Sequence, residues 1–86
     1  MSLEVRWQPR ARRDLKRLDR SGQRRVVDVV ERFAQTGEGD VVRLVNVAPA
    51  EYRLRIGDWR VRFSCDDEGG LLHVLRVLLR GKAYRC

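Results

Sequence analysis

The sequence predicts an α+β fold: an antiparallel sheet of four to five strands with an N-terminal helical hairpin packed on one face. The predicted order is strand, helix, helix, then three or four strands. Three stretches carry this expectation. Glu51 to Cys65, EYRLRIGDWRVRFSC, alternates apolar and polar residues on both sides of Gly57-Asp58, and Gly-Asp between two such runs is a two-residue hairpin signal. Residues 9 to 35 repeat apolar side chains at helical spacing. Leu71 to Leu79, LLHVLRVLL, is an apolar run of strand length. Consecutive hairpins at the end of the chain give the antiparallel sheet, and two helices can cover only one side of it.

The elements follow in order. Residues 3 to 7, LEVRW, alternate and form a first strand ending at Trp7. Pro9 stands at a first helical position, and Ala11, Leu15 and Leu18 define an amphipathic helix over about 9 to 18. Its outer face carries Arg10, Arg12, Arg13, Lys16 and Arg17, a solvated charge run on the plain reading and a nucleic-acid or ribosome-facing surface on the functional one. Asp19 or Ser21 caps a second helix from about Arg20 to Gln35, with Val26, Val30, Phe33 and Ala34 on one stripe. Gly37 and Gly39 close it. The short link between the helices predicts a hairpin of the two. Val41 to Val47 is a short edge strand that Pro49 ends. After the central hairpin, Asp66 to Gly70 is a polar turn, and Leu71 to Leu79 is expected as a central strand buried on both faces, with His73 as a packed core residue.

A two-residue turn at Gly57-Asp58 fixes a register. Ile56 faces Trp59, Leu54 faces Val61 and Tyr52 faces Phe63, making one apolar face. The other face then sets Arg55 opposite Arg60 and Arg53 opposite Arg62. Like charges directly opposed cost on the order of several tenths of a kcal/mol per pair. That repulsion becomes binding energy if a polyanion or an acidic partner lies there, whereas internal pairing with Glu51, Asp58, Asp66 and Asp67 would blunt it without removing the basic field.

Composition narrows the classes. With 86 residues, 36% charged and 43% hydrophobic, the chain is expected to fold as one globular module. A net charge of +7 and a pI near 10.7 point to nucleic acid, an anionic surface or an acidic protein partner. Seventeen of the 19 basic residues are arginine, suited to two-pronged contact with phosphate or carboxylate. Cys65 and Cys86 make neither a disulfide framework nor metal-ligand spacing, and His73 is the one histidine, so no metal and no cofactor is expected. The chain has no apolar stretch of export or membrane-spanning length, which with the cysteine usage points to the cytoplasm.

YRLRIGDWRVRF followed by VLRVLLRGKAYR resembles the signature of the RelE/ParE toxin superfamily, the toxins of type II toxin–antitoxin pairs, and VRWQPRARRDLKRL is similar to that family's first strand and helix. The resemblance spans nearly the whole chain, so residues 1–86 are expected as a single RelE/ParE-like toxin domain of the RelE-like microbial ribonuclease type. It implies a concave basic surface. In the RelE branch that surface enters the ribosomal A site and cuts messenger RNA, inhibiting translation; in the ParE branch it poisons DNA gyrase. Both branches are held inactive by an acidic antitoxin whose flexible segment wraps the toxin, a hetero-oligomer. Modest helices and a short tail resemble RelE more than ParE.

Carried across residue by residue, the resemblance places the family's catalytic positions on Arg53, Arg55, Arg60, Arg80 and Tyr84. Arg62, Arg76, Lys82 and Arg85 join Arg53, Arg55 and Arg60 as expected RNA contacts. The chain departs from the pattern in two ways. The first two positions, often lysine in relatives, are arginine, and the place before the final arginine, often histidine, is Leu79. An arginine holds its proton, so proton transfer falls to Tyr84, as a base with a pKa lowered by surrounding cations; its other role is stacking on a nucleobase, and its plain one is packing on the sheet. Arg60 and Arg80 are expected to clamp the scissile phosphate while Arg53 and Arg55 hold the neighbouring backbone. Two alternatives remain at this point: a ParE-like gyrase poison, and a non-catalytic basic nucleic-acid-binding module of the same fold.

Overall fold

The computed structural model describes residues 2–80. Its elements are β1 (Glu4–Trp7), α1 (Pro9–Lys16), α2 (Arg20–Thr36), β2 (Asp40–Arg43), β3 (Tyr52–Ile56), β4 (Trp59–Asp66) and β5 (Leu71–Leu79). The five strands form one sheet in the order β1-β5-β4-β3-β2. Lys82, Tyr84 and Arg85 lie outside the described residues. No helix among the described residues is long and apolar enough to cross a membrane.

The helix ends follow local chemistry. Pro9 opens α1, where its missing N–H leaves no intrahelical donor unsatisfied. Asp19 caps α2, its Oδ1 accepting from the Gly22 N–H at 2.7 Å. Gly37 ends α2 at φ 78°, with its N–H donating to the Phe33 carbonyl at 2.8 Å, a conformation that carries little cost for glycine. From α2, Val26, Val30, Phe33 and Ala34 meet Leu54, Ile56, Val61, Phe63, Leu72, Val74 and Val77 of the sheet in one buried cluster, which Ala11 and Leu18 extend. Phe33 and Phe63 lie 5.1 Å apart at 58°, a favourable tilted pairing. At Gly39 a Cβ would stand 2.8 Å from Leu54 Cδ1 and 3.2 Å from Phe33 Cδ1, so the chain needs glycine to leave α2 this close to the core.

Three expectations are corrected. The sheet is mixed rather than antiparallel, because β1 pairs parallel with β5, Glu4 against Leu71 through Trp7 against Val74. The helices carry the chain from one edge of the sheet to the other, and the strands β2 to β5 then return by consecutive reversals, so the last strand arrives beside the first. β2 ends at Arg43 instead of Val47. Leu44 N–H donates to the Glu51 carbonyl at 2.9 Å, and the chain then leaves the sheet with Val45 81% exposed and Asn46 at φ 60°. β5 is buried on one face only. Leu72, Val74 and Val77 are buried in the core, whereas Leu71, His73, Leu75 and Leu78 are only half-buried, as is Arg76, which Asp14 of α1 holds.

β5 also carries an irregularity that positions an arginine. The register runs Arg62 against Arg76 and then Phe63 against Val74, leaving Leu75 as an extra residue. This bulge lets Val74 and Val77, three apart, both face the core, and it turns Arg76 toward the sheet edge.

Candidate functional site

The central hairpin has the register its sequence predicts. Tyr52 pairs with Phe63, Arg53 with Arg62, Leu54 with Val61, Arg55 with Arg60 and Ile56 with Trp59. Gly57 sits at φ 59° and Asp58 does not share that positive φ, the pattern of a type II′ turn whose twist matches the strands. Leu54, Ile56, Val61 and Phe63 are buried toward the helices, which places Arg53, Arg55, Arg60 and Arg62 together on the opposite, open face.

On that face the arginines stand in two rows across the strands. One row runs Asp40, Arg55, Arg60, Leu78, and the other Val42, Arg53, Arg62, Arg76. Carboxylates moderate the crowding. Arg55 Nε stands 3.8 Å from Asp40 Oδ2, with 62% of its side chain exposed. Arg62 Nη2 donates to Glu51 Oε1 at 2.7 Å in a largely shielded pair. Arg76 grips Asp14 of α1 with two prongs, Nε to Oδ2 at 2.7 Å and Nη2 to Oδ1 at 3.2 Å. Of the four acids expected to pair with the hairpin arginines, only Glu51 does so; Asp58, Asp66 and Asp67 form no ion pair among the described residues, Asp40 pairs with Arg55 instead, and Asp14 pairs with Arg76 of β5.

Arg60 is the most enclosed of the four hairpin arginines. It is only 5% exposed, and its Nη1 donates to the carbonyls of Gly57 at 2.8 Å and Trp59 at 3.0 Å, bracing the turn from the open face. The Nε atoms of Arg60 and Arg62 are buried with no hydrogen-bond partner among the described residues. Arg80 is exposed just past β5, and its backbone N–H donates to the Asp58 carbonyl at 2.8 Å. Arg60 and Arg80 are therefore tied to neighbouring carbonyls of the same turn, with exposed Arg55 beside Arg60 in the row. Arg53 is half-buried between Val42 and Arg62.

His73 is not a core residue. It lies half-buried on the open face in register with Ser64 and with Arg6 of β1, and its Nδ1 stands 3.2 Å from Gln8 Nε2. Its position along β5 puts it roughly 20 Å from Arg80 at strand spacing, too far to share one phosphate with it. The strict in-out alternation of HVLRVLL, broken only by the bulge, would have placed His73 outward had the strand been read as covered on one side.

Asp14 is a carboxylate buried in α1, 6% exposed. Burial alone would raise its pKa; the Arg76 hydrogen bonds, the Val77 N–H at 2.9 Å and the charges of Arg76 and Arg17 outweigh that and hold it below the usual carboxylate value. The Asp14 hydrogen bond conversely pushes Arg76 up, against the opposing effect of burial. The result is a surface that offers cations to an anion, with no cluster of three or more His, Cys, Asp or Glu side chains able to hold a metal among the described residues. It can bind and neutralise phosphate oxygens.

A family model described as the ParE toxin of the type II toxin–antitoxin system parDE matches residues 5–84. The fold is similar to a chain of the RelBE2 toxin–antitoxin complex from Mycobacterium tuberculosis, with 27% identity, a TM-score of 0.73, and 93% of this chain and 100% of that one covered. It is also similar to a chain of the archaeal RelE–RelB complex from Pyrococcus horikoshii OT3, with 23% identity, a TM-score of 0.79, and 95% and 99% covered. A chain of the RelB–RelE complex from Methanococcus jannaschii shares 20% identity at a TM-score of 0.72, with 91% and 93% covered. No curated protein matches the sequence.

Proposed function

The chain belongs to the RelE/ParE superfamily of type II toxins, and on that premise we propose that it inhibits translation as a ribosome-dependent endonuclease of messenger RNA, held in check by an acidic antitoxin. The observation that carries this reading is the corner where Arg60 and Arg80 are anchored to adjacent carbonyls of the Gly57-Asp58 turn, with Arg55 exposed alongside. The turn fixes the Arg60 guanidinium and the backbone of Arg80, so cations stand beside the equatorial oxygens of a phosphodiester under attack as charge develops there.

In this reaction the ribose 2′-hydroxyl attacks the adjacent phosphorus, the bond to the 5′-oxygen breaks, and a cyclic phosphate and a 5′-hydroxyl result. Arg80 and Arg55 contact the phosphate and its neighbour. Arg60, with Nη1 committed to the turn, holds the corner rigid and offers its remaining nitrogens. Arg53 and Arg62 contribute field. The proton leaving the 2′-hydroxyl goes to Tyr84, or to a group of the ribosome, and the departing 5′-oxygen takes its proton from water or from a group of the ribosome. With arginines at every described position, the rate rests on electrostatics and on the ribosome's alignment of the message, so free RNA is expected to be cut slowly.

A second reading, a ParE-like poison of DNA gyrase using the same face, is favoured by the description of the matching family model. Expression without antitoxin separates the two. The proposed function predicts growth arrest with fragmented messages and intact replication; arrest with whole messages and a DNA-damage response would select gyrase, and harmless expression would leave only a binding module.

A further inference from the structure

α1 carries a basic stripe that the hairpin face does not account for. Arg10, Arg13 and Arg17 recur at i, i+3 and i+7, so they share one side of the helix, and all three are exposed. That side turns toward β5. The three arginines, Asp14 and Arg76 line a cleft of about 320 Å³ between α1 and the outer edge of the sheet. Arg12 and Lys16 do not line it, and Arg12 Nε is occupied with the Trp7 carbonyl at 3.1 Å.

The cleft holds four guanidiniums and one carboxylate, and the carboxylate is already spent. Asp14 Oδ2 accepts from Arg76 Nε and the Val77 N–H, and Oδ1 accepts from Arg76 Nη2. The side chains of Arg10, Arg13 and Arg17 make no hydrogen bond or ion pair among the described residues. A protein partner would need apolar anchors, because charged contacts at a rim add little affinity. The cleft has no apolar lining residue. A phosphodiester needs none, since its affinity comes from charge neutralisation and counterion release. Arg76 also stands in register with Arg62, so the cleft continues the arginine row around the edge of the sheet.

We propose that the α1–β5 cleft is a second anion site that holds backbone phosphates of RNA extending beyond the strand at the Arg60–Arg80 corner. This rests on the RNA-directed reading above. Arg76 acts there as a fixed wall, set by Asp14, and the three helix arginines close on the phosphate from the other side.

The test measures binding of a fluorescent 2′-O-methyl RNA 12-mer, which lacks the attacking hydroxyl and cannot be cut, across a salt series. The triple variant R10Q/R13Q/R17Q keeps good helix formers in α1, and its melting temperature checks that it folds. A second triple variant, K16Q/R20Q/R24Q, removes the same charge away from the cleft. The cleft triple should bind at least about tenfold more weakly near 0.1 M salt, with a log–log salt slope shallower by about 2, as expected for three lost phosphate contacts on a single strand. The other triple should change the slope by much less. Equal losses in both variants, or an unchanged slope in the cleft triple, would overturn the proposal. Displacement of the RNA by poly-glutamate as readily as by unlabelled RNA would also overturn it, making the cleft a docking site for acidic protein. Because the strand is uncuttable and no ribosome is present, this outcome is independent of whether messages are cleaved.

Discussion

Asp14 and Arg76 join α1 to the outer edge of β5 through two hydrogen bonds, Nε to Oδ2 at 2.7 Å and Nη2 to Oδ1 at 3.2 Å, while Oδ2 also takes the Val77 N–H at 2.9 Å. β1 ends at Trp7 opposite Val74, so the β5 edge beyond it lacks a strand neighbour, and a helix side chain supplies the missing acceptor. A buried carboxylate thus does for the sheet what another strand would do.

Asp14→Ala should therefore be one of the more damaging single changes. Removing one partner of a buried pair costs about 3–5 kcal/mol, and the partial exposure of Arg76 brings the expectation to about 2–3 kcal/mol, a fall of roughly 10–15 °C in melting temperature. A thermal scan showing a change under about 2 °C would refute this role.

The same group sets an acid limit. Its folded pKa lies below its unfolded one, so its contribution is fully present above the unfolded value of 3.8 and disappears as pH falls through the lower, folded value. The melting temperature of the wild type should decline across that acid window more steeply than that of Asp14→Asn. Parallel pH curves for the two proteins would contradict the assignment.

Arg80 and Arg60 should separate binding from folding. Arg80 is exposed and its side chain braces nothing among the described residues, so Arg80→Gln should lower message cleavage by about 10²–10³-fold while stability moves by less than about 0.5 kcal/mol. Arg60→Gln withdraws donors from the Gly57 and Trp59 carbonyls and should cost about 1–3 kcal/mol as well as activity. Urea unfolding beside cleavage assays reads both; equal stability losses would remove the distinction.

Gly57→Ala should cost about 1–2 kcal/mol, because φ 59° is strained for any residue with a Cβ. Activity should fall further than this modest loss suggests, since the turn anchors both Arg60 and Arg80. Full cleavage by a measurably destabilised Gly57→Ala protein would show that the corner is not held by the turn.

Cys65 should react slowly with thiol reagents near pH 8, since burial and then the charge of Asp67 push its pKa up. Labelling as fast as that of a free thiol would argue against this placement.

The parts of the fold legible in the sequence are those set locally. A two-residue turn between alternating runs fixes the pairing of Tyr52 through Phe63, and a cap with a clear apolar stripe fixes α2. The parallel docking of β1 was not legible, because it depends on the summed direction of every later connection. The site divides in the same way. Residue parity puts four arginines on one face, but it does not say that Arg60 folds back onto its own turn or that Arg76 is claimed by a helix. The second could have been suspected, since Asp14 interrupts the apolar stripe of Ala11, Leu15 and Leu18, and a carboxylate in that position calls for a buried partner. A run of leucine and valine conceals which side of a strand is covered, so the sequence alone does not place His73 on the open face.

Under the proposed function, the Arg60–Arg80 corner directs cleavage of messages on the ribosome. Purified protein added to translating ribosomes, with message ends mapped and their end groups determined, tests it most directly. The account predicts cuts at the ribosomal A site ending in cyclic phosphate, strongly reduced by Arg80→Gln and nearly absent on the same RNA without ribosomes. Messages that stay whole at concentrations of the protein that halt growth would contradict it.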